Sequence, residues 1–356
     1  MTSSHDDTGT GGATRGALYG LLAAALFGLS APIAKRLLGQ VSPQVLAGLL
    51  YLGAGVALHA WRTVRPATRE APLGRQDLPA LVSVVVAGGV LGPLLMLVGL
   101  NRVSAVAGSL LLNLEGPFTI ALAVLLFREH IGRYGIAASL LIVTGAALLQ
   151  LQPGQLALDA WGAAAIAAAC LAWAVDNNLT QRLSLRDPLA IVRIKALAAG
   201  GFNLTIGLIV AGELPAPMII VGALVLGAFS YGASVVLDAY ALRLIGAARE
   251  AMYFATAPFV GALAATVIVG DALHPLDLAA MGLMALGVAA LLRERHSHRH
   301  VHEPLAHDHL HAHDEHHQHT HGPDVPTTEP HAHPHRHAAL VHDHPHVPDA
   351  HHRHRH

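Results

Sequence analysis

The chain has 356 residues, of which 53% are hydrophobic and 13% charged, and its formal net charge is −1 at pH 7. That balance gives no electrostatic argument for nucleic acid, and the single cysteine, Cys170, excludes an intrachain disulfide or a cysteine metal knuckle. Mean hydropathy stays positive although about sixty C-terminal residues are almost wholly polar, so the preceding body is far more apolar than a water-soluble domain.

Residues 1–14 (MTSSHDDTGTGGAT) are rich in Gly, Thr and Ser and are expected to be disordered. Ten apolar runs follow, at 15–36, 43–61, 78–100, 103–127, 132–150, 159–181, 187–211, 215–240, 246–270 and 275–293. About 20 apolar residues cross a hydrocarbon core of about 30 Å, so each run is read as a transmembrane helix. The first is too long for a signal peptide and lacks a basic stretch before it, so it is expected to be retained. Cys170 lies within the sixth span as a small buried thiol. The most basic joint, with Arg62, Arg65, Arg69 and Arg75, follows span two. Joints on the amino-terminal side hold roughly four times as many Lys and Arg as the opposite set, which predicts an inner-membrane protein with both termini cytoplasmic.

The stretch 103–150 occurs twice. Placing Pro117-Phe118 on Pro258-Phe259 brings Leu100-Asn101-Arg102 onto Ala241-Leu242-Arg243; one inserted residue later, Glu129 meets Asp271 and Gly145 meets Gly287. Phe27-Gly28 aligns with Trp173-Ala174, so each repeat is five helices long, and an odd number inserts the second copy upside down. The predicted fold class is therefore an all-α polytopic membrane protein of two inverted five-helix repeats, 15–150 and 159–293, with a disordered tail over 294–356. Inverted repeats of this kind place the substrate site between the halves near the bilayer midplane. Gly88 and Gly92 are read as packing residues.

The segments FGLSAPIAK, LEGPFTIALAVLLFRE, ACLAWAVDNNLTQR and YALRLIGAAREAMYFATAPF resemble the EamA-type branch of the drug/metabolite transporter superfamily. The resemblance covers roughly residues 15–293 and implies export of a small molecule, amino acids, drugs and nucleotide sugars being among the cargoes of that superfamily. It also implies that Lys35, Glu129 and Asp271 stand at recurring charged positions. Such proteins often carry Glu directly before the proline; here Gly116 and Ala257 fill those places, and Glu115 lies one residue earlier, rotated by about 100° on a helix.

A charge within a span costs about 2.5–3.5 kcal/mol on insertion scales, so each needs a partner or a purpose. Asn113, Glu115 and Asn203 lie towards the midplane. Asp176, Asn177 and Asn178 in span six, Lys195 in span seven, Asp238 in span eight and Glu250 in span nine share the cytoplasmic leaflet. Together these nine are the expected substrate or ion pathway, Asp176 and its two amides forming a polar belt suited to a cation or a zwitterion. The plainer alternative is that they pair off as helix-joining bonds. Glu115 is the expected proton-coupled carboxylate, because burial disfavours the charged form of an acid.

Of the 27 histidines, 23 fall between His296 and His356. They alternate as His296, His298, His300, His302; His307, His309, His311, His313; His331, His333, His335, His337; and His342, His344, His346. In an extended chain every second side chain shares one side, and imidazoles with a pKa near 6.5 are ligand-competent at neutral pH. The tail is expected to bind zinc, nickel, cobalt or copper, although no cofactor is required by the transmembrane body. No nucleophile with a neighbouring base and no phosphate loop is visible, so the chain is not expected to be an enzyme.

The leading expectation is an exporter of divalent transition metal or a metal-linked small metabolite, whose cytosolic tail collects or senses metal. One alternative is a general metabolite or amino-acid exporter with a metal-buffering tail; another is a membrane-anchored metal storage or sensing protein. The expected partners are a small-molecule or metal-ion substrate and the lipid bilayer, without nucleic acid. A homodimer is compatible with the sequence, which demands none.

Overall fold

The computed structural model describes residues 7–64, 72–127, 132–151, 159–180, 183, 186–245, 253–291, 296–302, 305–311, 331–337 and 340–346. Among these residues, seven helices are long and apolar enough to cross a membrane, and three shorter apolar helices fall at 133–149, 257–268 and 275–290. Each overlaps one of the ten predicted spans; residues 246–252, at the start of predicted span nine, lie outside the described residues. Span one is α1 (Asp7–Gly28) and α2 (Ser30–Leu38), and span two is α3 (Pro43–Val64). Span three is α4 (Leu78–Val84), a π-helical stretch Val85–Leu91 and α5 (Gly92–Arg102). Span four joins α6 (Ala105–Leu111), a 3-10 turn Leu112–Leu114 and α7 (Glu115–Phe127). Spans five, six and seven are α8 (Arg133–Leu149), α9 (Ala160–Thr180) and α10 (Pro188–Ala211). Span eight is α11 (Pro217–Gly227), a second π stretch Ala228–Ala233 and α12 (Ser234–Ile245); α13 (Ala257–Ile268) and α14 (Pro275–Leu291) complete the set.

Local chemistry sets these boundaries. Asp187 caps α10 by accepting from the N–H groups of Leu189 and Ala190, with Pro188 at the first helical position, where no N–H is needed. Gly212 ends the same helix at φ 72°, a left-handed conformation that favours glycine. Leu18, Val56, Ile209 and Val267 are exposed along the outer faces of their helices, as lipid contact requires.

The packing repeats in both halves. Span two packs on seven, four on nine and five on ten, while three packs on six as eight packs on one. Each contact of one repeat thus has its counterpart in the other, as inversion of a five-helix unit demands. Glycines permit the close crossings that drive helix association in lipid. A Cβ at Gly227 would collide with the Leu50 carbonyl. Gly145 and Gly287, aligned by the sequence repeat, face each other's helices where α8 crosses α14: a Cβ would stand 3.1 Å from the Ala280 carbonyl at the first and 3.0 Å from the Ala138 carbonyl at the second.

Two segments differ from expectation. Helix α1 begins at Asp7, so residues 7–14 extend span one as helix; once a helix is nucleated by its apolar body, adding residues to its end is easy. The tail, expected to lack structure, carries four strands among its described residues: β1 (His296–His302), β2 (Leu305–His311), β3 (His331–His337) and β4 (Leu340–His346). β1 pairs with β4 and β2 with β3, both antiparallel. The physical reason is period: H-x-H alternation repeats every two residues, which is the period of a strand.

Gly227→Ala is expected to cost about 1–3 kcal/mol through overpacking against a rigid backbone, read as a lower thermal midpoint in detergent. Gly282→Ala, where a Cβ meets nothing within 4 Å, is expected to leave the midpoint unchanged or slightly raised.

Candidate functional site

The site begins with a backbone carbonyl. Pro93 has no N–H, and in the π stretch the Gly92 N–H donates to the Ala87 carbonyl five residues back. The Gly88 carbonyl therefore loses both donors that a helix would supply. Two side chains replace them: the Tyr51 hydroxyl donates to it at 2.9 Å and Trp173 Nε1 at 3.1 Å. Span four shows the same logic, with Pro117 following the 3-10 turn. The Glu115 N–H bonds to the Leu112 carbonyl, and the Cys170 thiol points at the carbonyls of Leu111 and Leu112, with Sγ 3.6 and 3.8 Å away.

The charged groups collect around these breaks. Lys195 Nζ lies 2.7 Å from Asp176 Oδ2, joining spans seven and six, and Thr180 donates to the other Asp176 oxygen at 3.1 Å. Asp176 is 4% exposed. Its carboxylate rests against Gly88, where any Cβ would collide with it. One residue on, Asn177 Nδ2 donates to Glu115 Oε1 at 2.6 Å. Asn178 turns to the carbonyls of Ala174 and Thr119 at 2.8 and 3.2 Å. The three consecutive polar residues of span six thus serve spans seven and four separately, as their 100° spacing on a helix requires.

An aromatic cluster joins the two halves. Tyr51 and Tyr231 have ring centroids 5.6 Å apart; Phe27 contacts Tyr231 at 5.7 Å edge-on and Phe254 at 5.3 Å. The Tyr231 hydroxyl is buried near Ser30, outside good hydrogen-bond geometry. The Thr119 hydroxyl is likewise buried without a hydrogen bond.

Other expected pathway residues lie elsewhere. Asn203, fully buried, accepts from Gln44 Nε2 at 2.9 Å and reaches the Val90 carbonyl at 3.5 Å, joining span seven to spans two and three. Asn113 donates to the Leu110 carbonyl and faces the Met284 sulfur. Asp238 is half-buried on α12 with a partner of its own. Glu250 and Glu129 lie outside the described residues. Lys35 and Asp271 share one end of the bundle. Lys35 donates to the carbonyls of Leu100 and Val103 at 2.6 and 2.8 Å, while Asp271 accepts from the N–H groups of Ala105 and Val106 at 2.6 and 3.2 Å. These two charges cap the facing ends of α5 and α6. Sequence reasoning missed Tyr51, Trp173 and Tyr231. The available signal was an aromatic ring with a polar tip inside an apolar run, which must find an acceptor in lipid. Among the described residues of the membrane-spanning helices, no three His, Cys, Asp or Glu side chains stand together as a metal site.

Removing one member of a buried ion pair strands the other. Lys195→Met is expected to cost about 3–5 kcal/mol, measured as a fall in thermal midpoint in detergent, with the double variant Lys195→Met, Asp176→Leu recovering most of the loss. A single variant as stable as the parent protein would refute burial of the pair.

Comparison with known proteins agrees with this architecture. Residues 14–151 and 160–293 each match the EamA-like transporter family. An uncharacterized transporter from Methanothermobacter thermautotrophicus is 31% identical over 270 residues, covering 70% of this chain and 78% of that protein. A solved crystal structure superposes with a TM-score of 0.58 at 20% sequence identity, covering 78% of this chain and 96% of the other, a likeness of fold. With both five-helix halves matched, the chain belongs to the EamA-like transporter family and is a multi-pass membrane protein.

Proposed function

We propose that the protein is an inner-membrane, proton-coupled exporter of a small cationic or zwitterionic metabolite, carried free or in complex with a divalent transition metal. Both termini lie in the cytosol, and the histidine tail collects or senses metal there. The observation that carries this reading is the Asp176–Lys195 pair standing one residue from the Glu115–Asn177 pair. A buried carboxylate held by a lysine is a site for exchange of cations: an incoming amine or complexed metal competes with Lys195 for Asp176, because two cations cannot both be neutralised by one acid. The displaced Lys195 then faces any carboxylate on the cargo. In the empty site, with Lys195 back on Asp176, a proton on Glu115 removes the remaining negative charge, as a bound cation does in the loaded one, and a neutral site crosses the low-dielectric interior more easily than a charged one. Exchange of proton for cargo at this site, with the two halves rocking about it, constitutes alternating access.

Carboxylate, amide and hydroxyl oxygens, with a lysine among them, suit an amine or a chelated ion better than a bare transition metal, which favours imidazole and thiolate. Export of the bare ion is a second reading, favoured by the histidine tail alone.

The test is uptake into everted membrane vesicles under an imposed proton gradient, using radiolabelled amino acids and amines with and without zinc, nickel or cobalt. Gradient-driven accumulation abolished by Glu115→Gln and at least tenfold reduced by Gly88→Ala, which displaces Asp176, is the expected result. Metal alone accumulating in the same way would favour the second reading. Metal that adsorbs to the intact chain without accumulating, and no longer adsorbs to a chain ending at Arg295, would leave a storage or sensing protein.

A further inference from the structure

In the tail, strand pairing brings together residues that are far apart in sequence. The register sets His296 opposite His346, His298 opposite His344 and His300 opposite His342; in the second ladder His307 stands opposite His335, His309 opposite His333 and His311 opposite His331. Directly opposed residues of an antiparallel pair share a face, and alternate residues along each strand share it too. Each ladder therefore places seven histidines on one face: three rungs of two, with His302 opposite Leu340 in the first ladder and His337 opposite Leu305 in the second.

The opposite face of the first ladder supports this register. There Arg299 stands opposite Asp343 and Val301 opposite Val341, an opposite-charge pair and a β-branched pair, the cross-strand combinations that stabilise a sheet. A slip of one residue would set histidines against Pro345 and Asp343 instead and break both pairs. Yet a two-stranded ribbon is marginal in water by itself. Opposed Cβ atoms in such a ribbon stand about 4.5–5.5 Å apart and diagonal neighbours about 7–8 Å. Four positions on two adjacent rungs match the number of ligands that zinc takes.

We propose that the tail is a metal-closed clasp, in which divalent transition-metal ions bridge histidines across the β1·β4 and β2·β3 rungs and so tie residues 296–311 to residues 331–346. This rests on the tail's binding metal, and adds that the ligands of one ion come from both ends of the tail, in contrast to chelation by neighbouring histidines on one strand. Metal then sets the tail's shape: open when metal is scarce, doubled back when it is plentiful.

The test uses the purified full chain with spin labels at Ser297→Cys and Pro345→Cys, opposed on the face away from the histidines; the native Cys170 is fully buried. Zinc, being diamagnetic, is titrated while distances are read by double electron–electron resonance, and bound zinc is counted in parallel. A flexible segment of this length averages about 35–42 Å between its ends. The expected result is collapse to a short, narrow distance on adding zinc, lost when His342, His344 and His346 are replaced by Ala and reversed when a chelator removes the zinc. A second label pair, Leu310→Cys and Ala332→Cys, is expected to respond likewise in the second ladder. Zinc bound in full with the long distance unchanged would overturn the clasp and leave metal binding by the tail intact. Failure of the tail to bind zinc at all would overturn both.

Discussion

A carboxylate inside a membrane must be neutralised where it stands, and the contact of Asp176 with Lys195 meets that demand across spans six and seven. Much of the site's surroundings follows from making room for it. Gly88 carries no side chain, which lets the carboxylate sit against span three. Pro93 frees the Gly88 carbonyl, and Trp173, one turn before Asp176 on the same helix, occupies it together with Tyr51. Span six is thereby fixed to span three by a polar contact, to span seven by an ion pair and to span four by Asn177, Asn178 and Cys170.

The two halves share a frame but divide the labour. Spans three and eight each widen into a π stretch at overlapping positions of the repeat, and spans four and nine each carry a proline after a disturbed turn. Only the first half holds Glu115, and only the second holds Asp176 and Lys195, so the charged site is assembled from both repeats. The aromatic contacts of Tyr51 with Tyr231 and of Phe27 with Tyr231 and Phe254 likewise cross from one repeat to the other. A motion that rocks the halves must change these contacts, whereas contacts inside a half can persist.

The ten spans and the repeat were legible because each rests on local composition: about twenty apolar residues, charged joints and matching prolines. Pairing was not. Asn203 and Asp176 read alike in the sequence, as polar residues inside apolar runs, yet one is occupied by Gln44 and the other by Lys195, and only the helix crossings decide which. Asn113 reads like a pathway residue but spends its amide on its own helix and on the Met284 sulfur of span ten. The role of Gly88 was half visible: the sequence suggested close packing, while the carbonyl it exposes depends on Pro93 five residues on and on two aromatic donors from other spans. The tail's two-residue period matches a strand, yet its polar composition predicted disorder, and nothing in it said which segment pairs with which.

The Gly88 carbonyl also bears on how a site of this kind is found. Part of the site's polarity belongs to the main chain, and no side-chain replacement can delete it. An alanine scan along span three would report Gly88 as a matter of bulk alone and pass over the oxygen altogether. Its partners would surface instead, as Tyr51 and Trp173, two aromatic residues that such a scan would file under packing. In this bundle the acceptor is hidden in the fold and visible only through its donors.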